Sequence, residues 1–362
     1  MESSLTLSRS PAPAAAAART PRPRIADDKA MLRAAAELTR DLIAPRPGIY
    51  WADLIASAVI GYGALAVAVT VQGTGWVVLA AVVSALALYR ALSFIHEVSH
   101  MKHSALPRFR GGWNALVGVP MLTPSFMYEG VHNLHHAKTR YGTSEDPEYL
   151  PLALMKPWTL PLFIVTALLL PIALLVRSAL LVPLGAVIPS IRKLLWERAS
   201  SLSINPQFRR RPPEGKFARM VFWQEFGVVV WSWFLIGWSA THGWRPLMIG
   251  LSVISITAVL NQIRTLVAHL WANEGDAITV TAQYLDSVNV PPPGILAELW
   301  APVGLRYHAL HHLLPSVPYH SYAEAHRRLI AHLGKHSTYD GANYPGLLVL
   351  VQKLVGSTMK LR

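Results

Sequence analysis

Residues 51–100 read WADLIASAVIGYGALAVAVT, VQGTG and WVVLAAVVSALALYRALSFIHEVSH in succession. The two apolar runs, Trp51–Thr70 and Trp76–Leu92, each approach the roughly 20 helical residues that the hydrocarbon of a bilayer takes. Between them Val71-Gln72-Gly73-Thr74-Gly75 is turn-like and short, and backbone inside lipid must satisfy its own hydrogen bonds, so the stretch reads as an antiparallel helical hairpin. The chain therefore enters and leaves on one face. At its exit it carries His96-Glu97-Val98-Ser99-His100.

Three more apolar runs follow, Trp158–Val182, Phe217–Ala240 and Leu247–Leu270. In 362 residues 52% are hydrophobic and 15% charged, which points to lipid as the solvent. The last two runs are joined by Thr241-His242-Gly243-Trp244-Arg245-Pro246, a second hairpin. Lys and Arg orient both: eight precede Trp51, seven lie between Arg192 and Lys216, and the two hairpin loops hold only Arg245. By the positive-inside rule the loops face outward and the hairpin mouths face the cytoplasm. The segment from Trp158 to Pro189 carries Pro161, Pro171, Pro183 and Pro189. A single crossing there would separate the later histidines from the earlier ones, so a re-entrant or interfacial helical pair is expected. The fold predicted is all-α and integral to a membrane, expected to be a bacterial inner membrane: two transmembrane hairpins (four spans), interfacial or re-entrant helices, and a cytoplasmic helical cap that holds metal.

Residues 1 to about 26, rich in Ala, Pro, Ser and Arg, read as a disordered tail or, alternatively, as a transit peptide. The chain is divided into a loosely ordered stretch, 1–48, and one catalytic domain, 49–362. The net charge of +13 is assigned to membrane topology, and no nucleic-acid partner is expected. With no cysteine, disulfides, thiolate metal sites and iron–sulfur clusters within the chain are excluded.

Eight of fifteen histidines fall in three groups, His96/His100, His132/His135/His136 and His308/His311/His312. Residues three and four apart share a helix face, so each group is a chelating unit. Eight neutral imidazoles are twice what one tetrahedral zinc needs, which suggests two metal ions. All three groups lie toward the cytoplasmic face. The bland alternative, a hydrogen-bonded or snorkelling histidine at the membrane edge, is open for any single group but does not account for three together on one side.

HEVSH, then HNLHH with Thr139 and Asp146-Pro147 after it, then HALHH followed by Leu-Leu-Pro, resemble the three histidine boxes of the membrane fatty acid desaturase family. The resemblance runs from about Trp51 to His326. It implies two iron ions, dioxygen as co-substrate, and a further ligand at His269, since Asn261-Gln-Ile-Arg264-Thr-Leu-Val-Ala-His269 is similar to the corresponding stretch of bacterial members. An intramembrane histidine is costly unless functional, which agrees. Asn261 is read either as holding a metal-bound water or as a packing amide. Glu97, Asn133 and Asp146 are candidates for orienting imidazoles; His103 is given a supporting or surface role, and His320, His326, His332 and His336 a solvated one.

Oxidising an unactivated methylene is beyond acid–base catalysis and calls for a metal and dioxygen. The resemblance implies desaturation of a lipid-, CoA- or carrier-linked fatty acyl chain. A hydroxylase or ketolase of the same di-iron class is the alternative. The two external electrons imply a separate ferredoxin- or cytochrome-like partner, because no carrier domain or dinucleotide fingerprint is visible; basic loops suit an acidic donor. A more distant reading takes HEVSH as H-E-x-x-H of an intramembrane zinc metalloprotease with Glu97 as base and Asp286 as third ligand. Trp223, Trp231, Trp233 and Trp238 are read first as interfacial anchors and second as walls of a substrate tunnel.

Overall fold

The computed structural model describes residues 25–358 except 102, 103, 151, 153, 154, 274 and 295. Residues 1–24, and with them most of the expected tail, lie outside the described residues, as does His103. The described chain is helical, with only isolated bridges such as His269 to Ser287 and Asn289 to Tyr307. Five helices are long and apolar enough to cross a membrane: Pro47–Thr70, Thr74–His100, Thr159–Val187, Gly215–His242 and Arg245–Ala268. The protein is an all-α membrane protein.

The first hairpin turns on Gly73, whose φ of 92° favours glycine. Its helices touch closely where Gly61 meets Leu88: a Cβ on Gly61 would stand 2.6 Å from the Leu88 side chain, and Ser84 Oγ donates to Gly61 O at 2.8 Å. The second hairpin turns on Gly243, φ 97°. Arg245, just after that turn, donates from Nε to Val69 O at 3.0 Å and from Nη2 to Val71 O at 2.8 Å. Both hairpin turns thus share one end of the molecule, and both mouths open at the other. Thr74–His100 is the central helix, 56% buried over its apolar window against 17–28% for the other four. The outer faces of those four expose Ile60, Leu168, Phe222 and Met248, a surface suited to lipid rather than water. Trp223, Trp233 and Trp238 face outward too, whereas half-buried Trp231 packs inward and donates to Pro120 O at 3.1 Å.

The proline-rich segment is more continuous than expected. Thr159–Val176 runs through a π-turn at Arg177–Leu181 into Val182–Val187, and the break comes only at Ile188, before the helix Pro189–Ala199. Pro161 sits in the first turn, where its missing N–H is not needed, and the wide turn just before Pro183 reroutes the ladder there. The excursion is nevertheless closed. Ile204 N donates to Pro147 O at 2.9 Å, and Asn205 Nδ2 to Asp146 O at 2.8 Å, so the chain returns to the place it left. The histidines before and after it therefore remain on one side, as parity requires.

Buried Glu225 of the second hairpin accepts from Arg177 Nη2 at 2.7 Å and from Arg192 Nη1 at 2.6 Å, pinning the excursion to the bundle. Glu225→Ala leaves the Arg177 charge buried and unpaired. The expected cost is about 3–5 kcal/mol, read as a lowered melting temperature in detergent against wild type.

Part of the stretch assigned to the loosely ordered tail is built into the core. Asp28 caps the helix Lys29–Leu38 by accepting from Met31 N at 3.0 Å, and Met31, Ala34 and Ala35 are buried. Arg328 of the helix Tyr322–Leu333 ties it down through Leu38 O and Asp41.

Candidate metal centre

His96 and His100 occupy the last turns of the central helix, which ends at Met101. His132, His135 and His136 lie on and just after a single turn, His132–His135, that follows the reversal at Gly130, φ 73°. His308, His311 and His312 lie on His308–Leu313, a helix held where Leu310 N donates to Oδ1 of fully buried Asn289 at 2.9 Å. His269 is the first residue past Arg245–Ala268, in extended conformation.

The structure brings all nine together in two groups, His96/His100/His132/His136/His311 and His135/His269/His308/His312, with the candidate ligand atoms of each group within 4.8 Å of one another. The boxes are split between the groups. On a helix the i+4 side chain lies about 40° from the first and the i+3 side chain about 60° the other way. His132/His136 and His308/His312 accordingly stay paired, while His135 and His311 cross to the opposite group.

These residues fit metal. His269 Nε2 stands 2.9 Å from His308 Nε2, His132 Nε2 3.0 Å from His136 Nε2, His136 Nε2 3.0 Å from His311 Nε2, and His135 Nε2 3.2 Å from His269 Nε2. With metal–nitrogen bonds of about 2.1 Å, ligands at right angles stand about 3.0 Å apart, so the spacing is that of adjacent corners of a coordination shell. Both ring nitrogens of His96, and Nε2 of His100, are buried with no hydrogen-bond partner, which otherwise costs about 1–3 kcal/mol per group.

Behind the rings, Nδ1 atoms are held by polar partners. His135 Nδ1 faces Asp146 at 2.9 Å, His132 Nδ1 faces Glu148 at 2.7 Å, His311 Nδ1 faces Tyr322 OH at 2.7 Å, and His312 Nδ1 meets the Gln283 amide at 2.9 Å. Tyr141 OH donates to Asp286 at 2.8 Å and is left to accept from His269 Nδ1 at 2.9 Å. Protons held at Nδ1 of His132, His135, His269 and His311 leave the Nε2 lone pairs of those four rings free to ligate, whereas the Gln283 amide nitrogen is a donor toward His312 Nδ1. Burial, then neighbouring histidines, pushes His132, His136, His308, His311, His312 and His269 well below the usual imidazole range, so they are neutral. Burial opposes charge on His135 as well, but the Asp146 carboxylate overrides it and raises its pKa. Burial lifts Glu148 to about 7 and Asp286 to about 6.

Of the three side chains expected to orient imidazoles, Asp146 does so. Asn133 is exposed, its side chain turned away on the outer face of the turn. Glu97 accepts from the Tyr50 hydroxyl and from Tyr319 N at 3.1 Å, and lies 3.9 Å from His96 Nδ1. That carboxylate is engaged behind the ring, which disfavours its use as the base of a hydrolase. Asp286, the proposed third zinc ligand of that reading, is filled by Tyr141, Tyr149 and Ala272 N. Asn261 Oδ1 accepts from Arg264 at 3.2 Å. His320 accepts from Arg46 N, His326 meets Tyr339 OH, and His332 and His336 are exposed; none joins either group. Glu148, Tyr141, Tyr322 and Gln283 were not singled out by sequence, where the only signal was an acidic EDPE run after the second box.

Glu97→Gln is expected to keep bound metal and to lose no more than about 10–100-fold in activity, the usual cost of losing a ligand's support. A hydrolase with Glu97 as base would be dead. Metal content and turnover measured side by side distinguish the two.

Against known proteins, the family model described as fatty acid desaturase matches residues 74–343. A ceramide hydroxylase of Caulobacter vibrioides (strain NA1000 / CB15N) is 49% identical over 324 residues, 89% of this chain and 92% of that protein. No solved structure matches.

Proposed function

The chain belongs to the fatty acid desaturase family, membrane oxidoreductases of the di-iron class, and on that premise we propose that it hydroxylates a ceramide or a closely related N-acyl lipid, using dioxygen and two irons. The observation that carries the reading is the relative named a ceramide hydroxylase, similar across nearly the whole of both chains. Desaturation, the outcome expected from sequence, is the second reading, favoured by the family description.

The nine histidines are proposed as the ligands, five to one iron and four to the other. Bound iron would supply an oxidant from dioxygen strong enough to take hydrogen from a methylene. The protein's own part is to orient rings through Asp146, Glu148, Tyr141 and Tyr322, and by burial to keep the ligating face dry. Electrons must come from outside. A cleft of about 530 Å³, walled by Val98, Ser99 and the second-box turn and edged by Arg140, Arg209, Arg210 and Arg211, is proposed as the face that an acidic donor approaches. The clustered basic residues support a cytoplasmic placement of this face in a bacterial inner membrane.

Lipid analysis of cells expressing the protein tests the reading. Ceramides one oxygen heavier support hydroxylation. Products two hydrogens lighter return the assignment to desaturation, and an unchanged lipid profile with iron-loaded protein and a working donor overturns both.

A further inference from the structure

Arg264 lies within Arg245–Ala268, five residues before His269, and is only 8% exposed. A charge buried in such a helix is costly and is ordinarily paired or functional, and arginine cannot escape by losing its proton. The other buried arginines are matched: Arg177 to Glu225 and Ala199 O, Arg210 to the carbonyls of Ser200 and Glu129, and Arg306 to Glu298 and two carbonyls. Arg264 is not. Its Nη2 reaches only two neutral acceptors of its own helix, Asn261 Oδ1 at 3.2 Å and Thr265 Oγ1 at 3.1 Å, its Nε has no partner, and no carboxylate pairs with it among the described residues.

Its direction is given by its neighbours. Thr257, two turns earlier on the same face, donates to Ala85 O of the central helix. On that helix Tyr89 is one turn beyond Ala85, and His96 two turns beyond Tyr89. Arg264 therefore faces the strip between helices that leads up to the metal groups. The Tyr89 hydroxyl donates to Trp300 O at 2.9 Å and its oxygen can accept one guanidinium N–H, which still leaves Nε without a partner.

A hydrocarbon tail offers this group nothing, whereas a polar lipid head does. We propose that Arg264 is a specificity-determining residue: its free donors take an oxygen acceptor of the substrate, the amide carbonyl or a hydroxyl of an N-acyl lipid, and hold it beside the metal groups, so that oxidation falls within a few carbons of the polar end rather than in mid-chain. The inference rests on the N-acyl-lipid reading above and adds which end of the molecule is presented.

The test uses full-length, iron-loaded protein in detergent, as wild type, Arg264→Met and Arg264→Lys, with tritiated N-acyl sphinganine and tritiated n-octadecane as probes. Arg264→Met is expected to weaken N-acyl sphinganine binding about 10- to 100-fold, the range for one hydrogen bond to a charged donor. Octadecane binding and iron content should not change, and Arg264→Lys should retain most of the affinity. Equal weakening of both probes, loss of iron, or unchanged N-acyl sphinganine binding overturns the assignment. If Arg264→Met does not fold, Arg264→Gln carries the same comparison. A wild type that hydroxylates N-acyl sphinganine while Arg264→Met binds it equally well sinks only the role of Arg264; a wild type that neither binds nor oxidises it sinks the functional reading first.

Discussion

Alanine at His135 or His311 is expected to abolish turnover and lower bound iron, while His332→Ala changes neither. Loss of a partner behind a ligand costs about 10–100-fold, so loss of the ligand itself should exceed that. The two variants should differ in stoichiometry. His135→Ala leaves His269, His308 and His312 in its group and strands buried Asp146, so most of one iron per chain should go. His311→Ala leaves four imidazoles in the other group, and more iron should remain although turnover stops. Exposed His332 touches neither group. Iron per chain on detergent-purified protein, with turnover on the same samples, reads all three; full activity in either of the first two variants would falsify the ligand scheme.

Asp146→Ala should be the most damaging substitution outside the histidines. The carboxylate is fully buried and accepts from His135 Nδ1 at 2.9 Å, Gly142 N at 2.8 Å and Glu148 N at 2.8 Å. Hydrogen bonds to a charged group contribute about 1.5–3 kcal/mol each, so losing three together should cost at least about 4 kcal/mol, with iron affinity down about 10–100-fold. Asp146→Asn keeps the shape and one acceptor, and should recover most of the stability but less of the affinity. Melting temperature in detergent, with and without iron, and an iron titration separate these effects. An Asp146→Ala protein that melts and binds iron like wild type would remove this carboxylate from the account.

Much of this architecture was legible in the chain. Apolar runs with glycine-bearing turns at Gly73 and Gly243 mark the two hairpins, because helix formation in lipid is a local requirement that a hydrophobic stretch meets by itself. Eight of the nine histidines were grouped for a similar reason, since a three- or four-residue spacing is a property of one helix turn, whereas the ninth, His269, came only from the family resemblance. The length of the middle helix was harder to read, since prolines announce breaks, yet a first-turn position and a π-turn absorb Pro161 and Pro183.

The sequence by itself determined that this is an all-helical membrane protein with imidazole clusters gathered at one end of two hairpins. Only the tertiary structure decided how those clusters divide. His136 meets His311 across 175 positions and His135 meets His269 across 134, and which ring turns to which neighbour depends on how distant helices pack, which no local spacing encodes. Packing likewise placed Glu148 and Tyr141 behind the rings, and left the Arg264 charge unpaired below them. Periodicity fixes the face of a helix on which a side chain sits; what that face meets is settled by the whole fold.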